Sequence, residues 1–285
     1  MSQISTIAFL GAGIMGAPMA GNIAKAGFNV RLWNRSFDKA KAVNGDGVSA
    51  TESLEEALSG AEVVITMLSD ASAVKAVIAD CREFMTPNMI WLQMSTVGVG
   101  IDELNQIAGE IGVDMIDAPV LGTKGPAESG ELSVLASGNP KHKDKLEPIL
   151  AAIGSNTRWV SDEPGKSSRL KLALNSWVFA LTHATAEALT IAKTLGVDPS
   201  LVPEILKGGA LDCGYLHIKS KAMLEGNLEA NFSVDNAAKD ARLIREATEA
   251  QGQIMDLVVA GQNRFLRVIQ QGHGDKDMAA SYLAK

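Results

Sequence analysis

Cysteine, histidine and aromatic residues are scarce in this sequence: 285 residues include two cysteines, four histidines and 5% aromatics. Cys81 and Cys213 stand far apart and form no CxxC pair, which argues against a disulfide scaffold and against structural zinc. His142, His183, His217 and His273 have no metal-ligand spacing, so no metal is expected. Positive charge is in deficit as well. The net charge of −7 removes the basic footprint that general nucleic-acid binding requires. An anionic small ligand stays compatible, because local charge decides that. No apolar run is long enough to span a bilayer. No basic residue precedes the first such run, TIAFLG, and glycine breaks it, so neither a membrane anchor nor a leader is expected. A cytoplasmic protein follows as the expectation. Repeats and low-complexity segments are missing too.

What remains is a globular composition, 46% hydrophobic and 21% charged, sufficient for a real core. The first half alternates short apolar runs with amphipathic stretches. TIAFLG reads as a buried strand and Ile14 to Ala26 as a helix closed by Gly27. NVRLWN reads as a second strand. SLEEALSG reads as a short helix with Ser53 as N-cap and Glu56 at the third position, a capping box. EVVITML, MIWLQMS and GVDMIDAPV supply a third, fourth and fifth strand, and ELSVLASG and TRWV further ones. Strands separated by helices imply βαβ units and a mostly parallel sheet. Beyond Pro164 the texture changes. Lys166 to Leu195 has neither proline nor glycine and reads as one long helix. It is apolar over most of its length and is expected to be buried between packed bodies. Four further helical patterns follow, and no strand pattern returns. The expected fold is α/β, with an N-terminal domain over 1–163 built on a mostly parallel sheet. An all-helical C-terminal domain over 164–285 is joined to it by the long helix.

Gly11-Ala12-Gly13-Ile14-Met15-Gly16 is a GxGxxG that follows a strand and opens a helix. The first glycine permits the tight turn, the second lets a pyrophosphate reach the backbone, and the third lets helix and strand pack closely. The helix N-terminus favours the phosphate charge. In this context the motif predicts a Rossmann-like dinucleotide site including Gly11, Gly13, Ile14, Met15 and Gly16. NAD sites usually carry an acid at the end of the second strand to bond the ribose hydroxyls. This sequence has Asn34-Arg35-Ser36 there. An arginine attracts a 2′-phosphate where an acid would repel it, so NADP is the expected cofactor. A solvated surface arginine is the alternative. Leu68, the last residue of the third predicted strand, is counted with the cofactor contacts.

Lys171 lies in the long apolar helix, with Asn175 one turn later on the same face. By periodicity alone Lys171 reads more readily as a surface lysine near the helix end. If buried, it would need a partner or a lowered pKa, the condition in which lysines serve as general acids or bases. His183, on the same helix, reads as a core or interface histidine. The four tryptophans read as packing.

Five segments in order, GAGIMG, MSTV, DAPVLG, GKSSRLKLALN and FSVDNAAKD, give the whole chain a resemblance to the β-hydroxyacid dehydrogenase family. That family includes 3-hydroxyisobutyrate dehydrogenases, tartronate semialdehyde reductases and glyoxylate/succinic semialdehyde reductases. The resemblance implies that Lys171 donates a proton to the substrate carbonyl, with Asn175 the matching asparagine. It places Thr96, with Ser95 beside it, near the nicotinamide, and implies that Phe232 and Lys239 reach the cofactor. The substrate loop would bind a carboxylate through Leu121, Gly122 and Thr123. Leu121 replaces the family's serine, which removes a hydroxyl. Ser167 stands where a second glycine is usual, and Leu174 where the first of two asparagines often is. LGTKGPAESGELSVL and the Asn-Arg-Ser segment resemble the glyoxylate/succinic semialdehyde reductase branch most. The implied function is NADPH-dependent reduction of a small aldehyde or keto acid by a homodimer or homotetramer. Oxidation of a 3-hydroxy acid in the manner of 3-hydroxyisobutyrate dehydrogenase is the alternative. Imine reduction is another, although imine reductases of this plan generally lack the lysine.

Overall fold

The computed structural model describes residues 4–43 and 45–285. The first three residues, which begin the stretch read above for a leader, lie outside them. The described residues fall into two compact units that divide between Lys171 and Leu172.

In the first unit, nine strands among the described residues form one sheet. Strands β1 (Thr6–Leu10), β2 (Asn29–Trp33), β3 (Val48–Thr51), β4 (Val63–Thr66), β5 (Ile90–Gln93) and β6 (Asp114–Asp117) run parallel in the order β3-β2-β1-β4-β5-β6. Strand β8 (Leu132–Ser137) pairs antiparallel with β6 and with β7 (Val120–Leu121), and β9 (Gly154–Ser161) pairs parallel with β8. This is the Rossmann order, whose direction of winding reverses between β1 and β4, the place where such sheets bind ligands. The period of two along each strand feeds two cores. Ile7, Phe9, Val30, Leu32, Ile65 and Leu92 face one side, under α1 (Gly16–Lys25) and α7 (Lys143–Ile153). Ala8, Leu10, Val64 and Trp91 face the other, under α4 (Ala71–Cys81) and α5 (Ile101–Ile111). Buried throughout, β4 and β5 are apolar up to their last residues, Thr66 and Gln93.

Three expectations need correction. The first helix begins at Gly16, not at Ile14, because residues 12–15 form the turn above it. GVDMIDAPV is two strands: the chain leaves the parallel sheet after Asp117, and Pro119, which has no N–H to donate to a ladder, lies in the break. VSAT, unassigned in the sequence, is the edge strand β3. The short helix α3 (Leu54–Leu58) does start with Ser53 Oγ accepting from Glu56 N at 3.1 Å. Glu56 reaches back to the backbone N–H of Glu52 at 3.3 Å.

Helix α8 (Lys166–Thr194) has 29 residues, a length of about 43 Å. It begins in the first unit and continues into the second. It is not buried all round. One stripe, including Ser168, Lys171, Leu172, Asn175, Phe179, Thr182, Ala186 and Leu189, is buried at helical spacing, while Trp177 is 65% and Ile191 57% exposed on other faces. The second unit continues with α9 (Leu201–Leu206), α10 (Gly214–Glu225), α11 (Val234–Glu249) and α12 (Asp256–Gln270), then a 3₁₀ turn over Met278–Leu283. Its core joins Leu172 and Phe179 to Val234, Ala237, Ala241, Ile244, Phe265 and Met278. Among the described residues, no helix is long and apolar enough to cross a membrane.

Candidate active site

The glycine loop sits at the end of β1. Gly11 has φ +124°, and a Cβ there would collide with the carbonyl oxygen of Met67. A Cβ on Gly16 would collide with the carbonyl oxygen of Gly11. A Cβ on Gly13 would meet nothing within 4 Å. The outer two glycines therefore serve packing, and the middle one opens the backbone outward, the cradle that a pyrophosphate needs. Ile14 is 44% exposed beside it, and Met15 is half-buried against the core. Asn34 holds the neighbouring turn: its Oδ1 accepts from Ala12 N at 3.0 Å and its Nδ2 donates to the Ser36 carbonyl at 2.9 Å. That amide is thereby committed to the loop's shape. Arg35 and Ser36 are exposed next to it.

The next two strand ends are joined by a buried polar network. Trp91 Nε1 donates to Thr66 Oγ1 at 3.0 Å, and Gln93 bonds both ends of Ser95 through its side chain. Ser95 is fully buried. Its hydroxyl accepts from Leu68 N at 2.9 Å and donates to the Thr66 carbonyl at 3.3 Å. The hydroxyl of Ser95 is thus a clasp between two loops, whereas Thr96 beside it is partly exposed. Leu68 is held in place through its own N–H.

Asp117 ends β6 and heads the 117–123 loop. It is fully buried. Its Oδ2 accepts from Ser168 N at 2.8 Å, Gly165 N at 3.1 Å and Ser137 Oγ at 3.3 Å, and its Oδ1 accepts from Ser168 Oγ at 2.7 Å. Burial raises the carboxyl from 3.8 to about 6, against the lowering effect of those hydrogen bonds. Further along, Leu121 is half-buried and registered against Ser133 of β8. Gly122 has φ +130°, and a Cβ there would stand 2.6 Å from Leu132 Cδ2. Thr123 then precedes the short helix α6 (Lys124–Ser129).

Lys171 closes the first unit and is 7% exposed. The surface reading that periodicity favours is therefore wrong: the helix stripe that carries it is buried. Asn175 lies one turn on and is 1% exposed. In the second unit, Asn175 Nδ2 donates to Asp240 Oδ2 at 2.9 Å, and Lys239 Nζ pairs with Asp240 Oδ1 at 2.7 Å. Asp240, 2% exposed, thus joins two residues that the sequence singles out. Phe232 packs against Phe179, ring centroids 6.0 Å apart. Its N–H donates to Asp277 Oδ2 at 3.1 Å, and Asp277 also pairs with Lys219 Nζ at 2.5 Å, both side chains being buried.

Sequence reasoning assigned no role to Asp117, Asp240 or Asp277. One signal was available for Asp117 alone: it is an acid set among apolar and small residues, MIDAPV. His183 does belong to a core. Its Nδ1 lies 2.8 Å from Ser281 Oγ, and burial, with Arg264 and Arg267 near, lowers it to about 4. Burial, with Asp80 near, pushes the Cys81 thiol up to about 12, which leaves it unreactive.

Two family models match successive parts of the chain, the second from the start of α8. Residues 6–161 match the NAD binding domain of 6-phosphogluconate dehydrogenase. Residues 165–284 match the NAD-binding domain of NADP-dependent 3-hydroxyisobutyrate dehydrogenase. Glyoxylate/succinic semialdehyde reductase 1 of Arabidopsis thaliana is 28% identical over 278 residues, 96% of each chain. The NAD-dependent L-serine dehydrogenase of Pseudomonas aeruginosa is 28% identical over 284 residues, 96% of this chain and 95% of its own. Among solved structures, a Mycobacterium tuberculosis 3-hydroxyisobutyrate dehydrogenase with L-serine superposes with a TM-score of 0.87 at 26% identity, over 99% of each chain. A Rossmann sheet with an open glycine cradle, a helical unit after it and two matching domain models agree on one assignment: the chain belongs to the β-hydroxyacid dehydrogenase family of nicotinamide-dependent oxidoreductases.

Proposed function

We propose that this oxidoreductase is an NADPH-dependent reductase of small aldehyde or keto acids such as glyoxylate or succinic semialdehyde, with Lys171 as the proton donor. The observation that carries the reading is the burial of Lys171, 7% exposed. Burying an ammonium is unfavourable, so such a lysine is retained for what it does. The cofactor, when bound, supplies a hydride to the carbonyl carbon. Lys171 Nζ gives a proton to the carbonyl oxygen, and Asn175, fixed through one amide hydrogen by Asp240, keeps a second N–H for orientation. The backbone at Gly13 receives the pyrophosphate, and Ile14, Met15, Leu68 and Thr96 line the cofactor. Phe232 and Lys239 are counted with the cofactor contacts, as the family resemblance implies. Gly122 and Thr123 bind the substrate carboxylate.

Preference for NADPH rests on Arg35, exposed beside the glycine loop with no acid next to it. A guanidinium binds a 2′-phosphate through paired, charge-assisted hydrogen bonds. The name of the plant relative supports the substrate class. A second reading, oxidation of a 3-hydroxy acid with NAD, is favoured by the equally similar L-serine dehydrogenase. Leu121, half-buried where a serine hydroxyl would bind a carboxylate, weighs toward the first. We also propose a homodimer or homotetramer, because Trp177 and Ile191 stand exposed on α8. The deciding experiment is a panel of small carbonyl and hydroxy acids, L-serine and 3-hydroxyisobutyrate included, assayed with both cofactors. Turnover of the hydroxy acids with NAD alone would replace the first reading by the second.

A further inference from the structure

The start of α8 is capped in an unusual way. The residue before it is Gly165, at φ +96°, which has no side chain to give. A Cβ there would stand 2.8 Å from the Arg169 guanidinium and 3.3 Å from Ile101 Cγ2. Asp162 and Glu163, close in sequence and well suited to cap a helix, are exposed. The cap comes instead from Asp117, 48 residues before Gly165 in the chain. The N–H groups of Gly165 and Ser168 end on its carboxylate. The N–H of Ser167 ends at 3.1 Å on Ser137 Oγ, which itself donates to Asp117. A buried carboxylate is an expensive cap when local acids are at hand.

What this arrangement adds is a link. Asp117 also begins the 117–123 loop, and Ser137 is the residue that pairs with it across β6 and β8. Ser168, bonded to the carboxylate through both N–H and hydroxyl, lies three residues before Lys171, on the same helix face. The loop that would take the substrate and the helix turn that carries the lysine are therefore fastened to one side chain, all within the first unit.

We propose that Asp117 is a positioning residue, whose carboxylate fixes the phase and height of the first turn of α8 against the 117–123 loop and so sets the reach of Lys171 Nζ to the substrate oxygen. The inference rests on the reading of Lys171 as proton donor. Misplacement of a reacting group by about 1 Å can lower a rate by about 10²-fold, so releasing this clamp should act on kcat.

The test measures reduction of the best substrate of the carbonyl panel by the full chain, for Asp117→Ala, Asp117→Asn, Ser168→Ala and Lys171→Ala together. Asp117→Ala is expected to lower kcat by about 10–100-fold while cofactor affinity, read by fluorescence titration, stays at the wild-type value. Amide hydrogen exchange over residues 165–171 should quicken by about tenfold or more, and exchange over 16–25 should not change. Asp117→Asn keeps one acceptor and should recover part of the rate; Ser168→Ala should show a smaller loss. A merely structural role would lower melting temperature and cofactor affinity together and leave the kcat of the folded fraction intact. Wild-type kcat per folded Asp117→Ala molecule overturns the inference. Should that variant fail to fold, wild-type kcat in both Asp117→Asn and Ser168→Ala overturns it. An inactive Lys171→Ala beside such results leaves the proton-donor reading standing. A fully active Lys171→Ala removes that reading and the inference with it.

Discussion

Asp117→Asn also makes a prediction about stability that does not depend on the chemistry. Burial, first among the causes, raises this carboxyl from 3.8 to about 6, and the hydrogen bonds from Ser168, Gly165 and Ser137 only partly offset it. No charged neighbour is among the causes. A shift of about two pH units, at about 1.4 kcal/mol each, comes to about 3 kcal/mol. The sign follows from the direction. A carboxyl whose pKa is raised by folding contributes stability in its protonated form, fully present below about pH 4 and lost as pH rises through about 6. Asparagine carries no charge and loses nothing over that interval. The wild type should therefore fall relative to Asp117→Asn by up to about 3 kcal/mol between pH 4 and 7, or roughly 6–12 °C in melting temperature for a unit of this size.

The assay is thermal and urea unfolding of both chains from pH 4 to 8, followed by far-UV circular dichroism at constant ionic strength. Taking the difference between the variants cancels the titration of every other group distant from the site. Any fixed cost of the amide, whose Nδ2 would face the Ser168 hydroxyl, shifts the difference by a constant. Only its slope with pH reports Asp117. A flat difference from pH 4 to 7, or one of opposite slope, would refute the reasoning. It would mean that the four hydrogen bonds balance burial or outweigh it.

Four other outcomes are expected. Lys171→Ala should lower kcat by about 10²–10⁴ with cofactor binding intact, and Lys171→Arg should fail too, since a guanidinium does not release a proton near neutral pH; kinetics beside fluorescence titration check this. Arg35→Asp should weaken NADPH binding by about 1.5–3 kcal/mol and spare NADH, and tighter binding of NADH than NADPH by the wild type would contradict the role of Arg35. Leu121→Ser should lower KM for a carboxylate substrate by roughly tenfold, the worth of one hydrogen bond to a charged group; an unchanged KM across the panel would remove Leu121 from the pocket. Light scattering at micromolar concentration should give the mass of a dimer or tetramer, and Trp177→Asp should lower it, whereas a monomeric wild type would refute the assembly.

Much of the fold is written locally. Lys166 to Leu195 could be read as one helix because no proline or glycine interrupts it and glycines flank it, and the observed end, Thr194, differs by one residue. The strands β4 and β5 were legible because sheets covered on both faces demand continuous apolar runs. Strand β3 was not. Its four residues, VSAT, have no apolar run, and what makes them a strand is pairing with β2, a contact distant from its own sequence. The break in GVDMIDAPV has the same origin. Asp114 to Asp117 lie parallel to β5 and Val120-Leu121 antiparallel to β8, and the break falls at Pro119, where the chain leaves the parallel sheet. The exposed side of α8 shows the converse limit. Composition gives the amount of apolar surface but not the number of faces one chain can cover, so Trp177 was read as packing and stands in the open.

The candidate site divides along the same line. Gly11, Gly13 and Gly16 could be found because their function is a property of the backbone at those positions, visible as spacing. Lys171 could be named only through resemblance, since a lysine one turn into a helix looks the same in sequence whether that turn is buried or wet. The acids were hidden for a deeper reason. Asp117 and Asp240 act on partners 51 and 65 residues away, Ser168 and Asn175, and a carboxylate that orients another side chain leaves no periodic trace. Yet an acid within an apolar stretch is rare on energetic grounds, because burying it unpaired is so unfavourable. Such an acid predicts partners even when they cannot be named. In DMIDAPV the acid that ends the strand has to meet donors, and the next long helix has a glycine where its own cap should be. A donor-rich helix start without a local cap and a buried acceptor without a local donor are two halves of one statement, and the structure joins them at the turn that leads to Lys171.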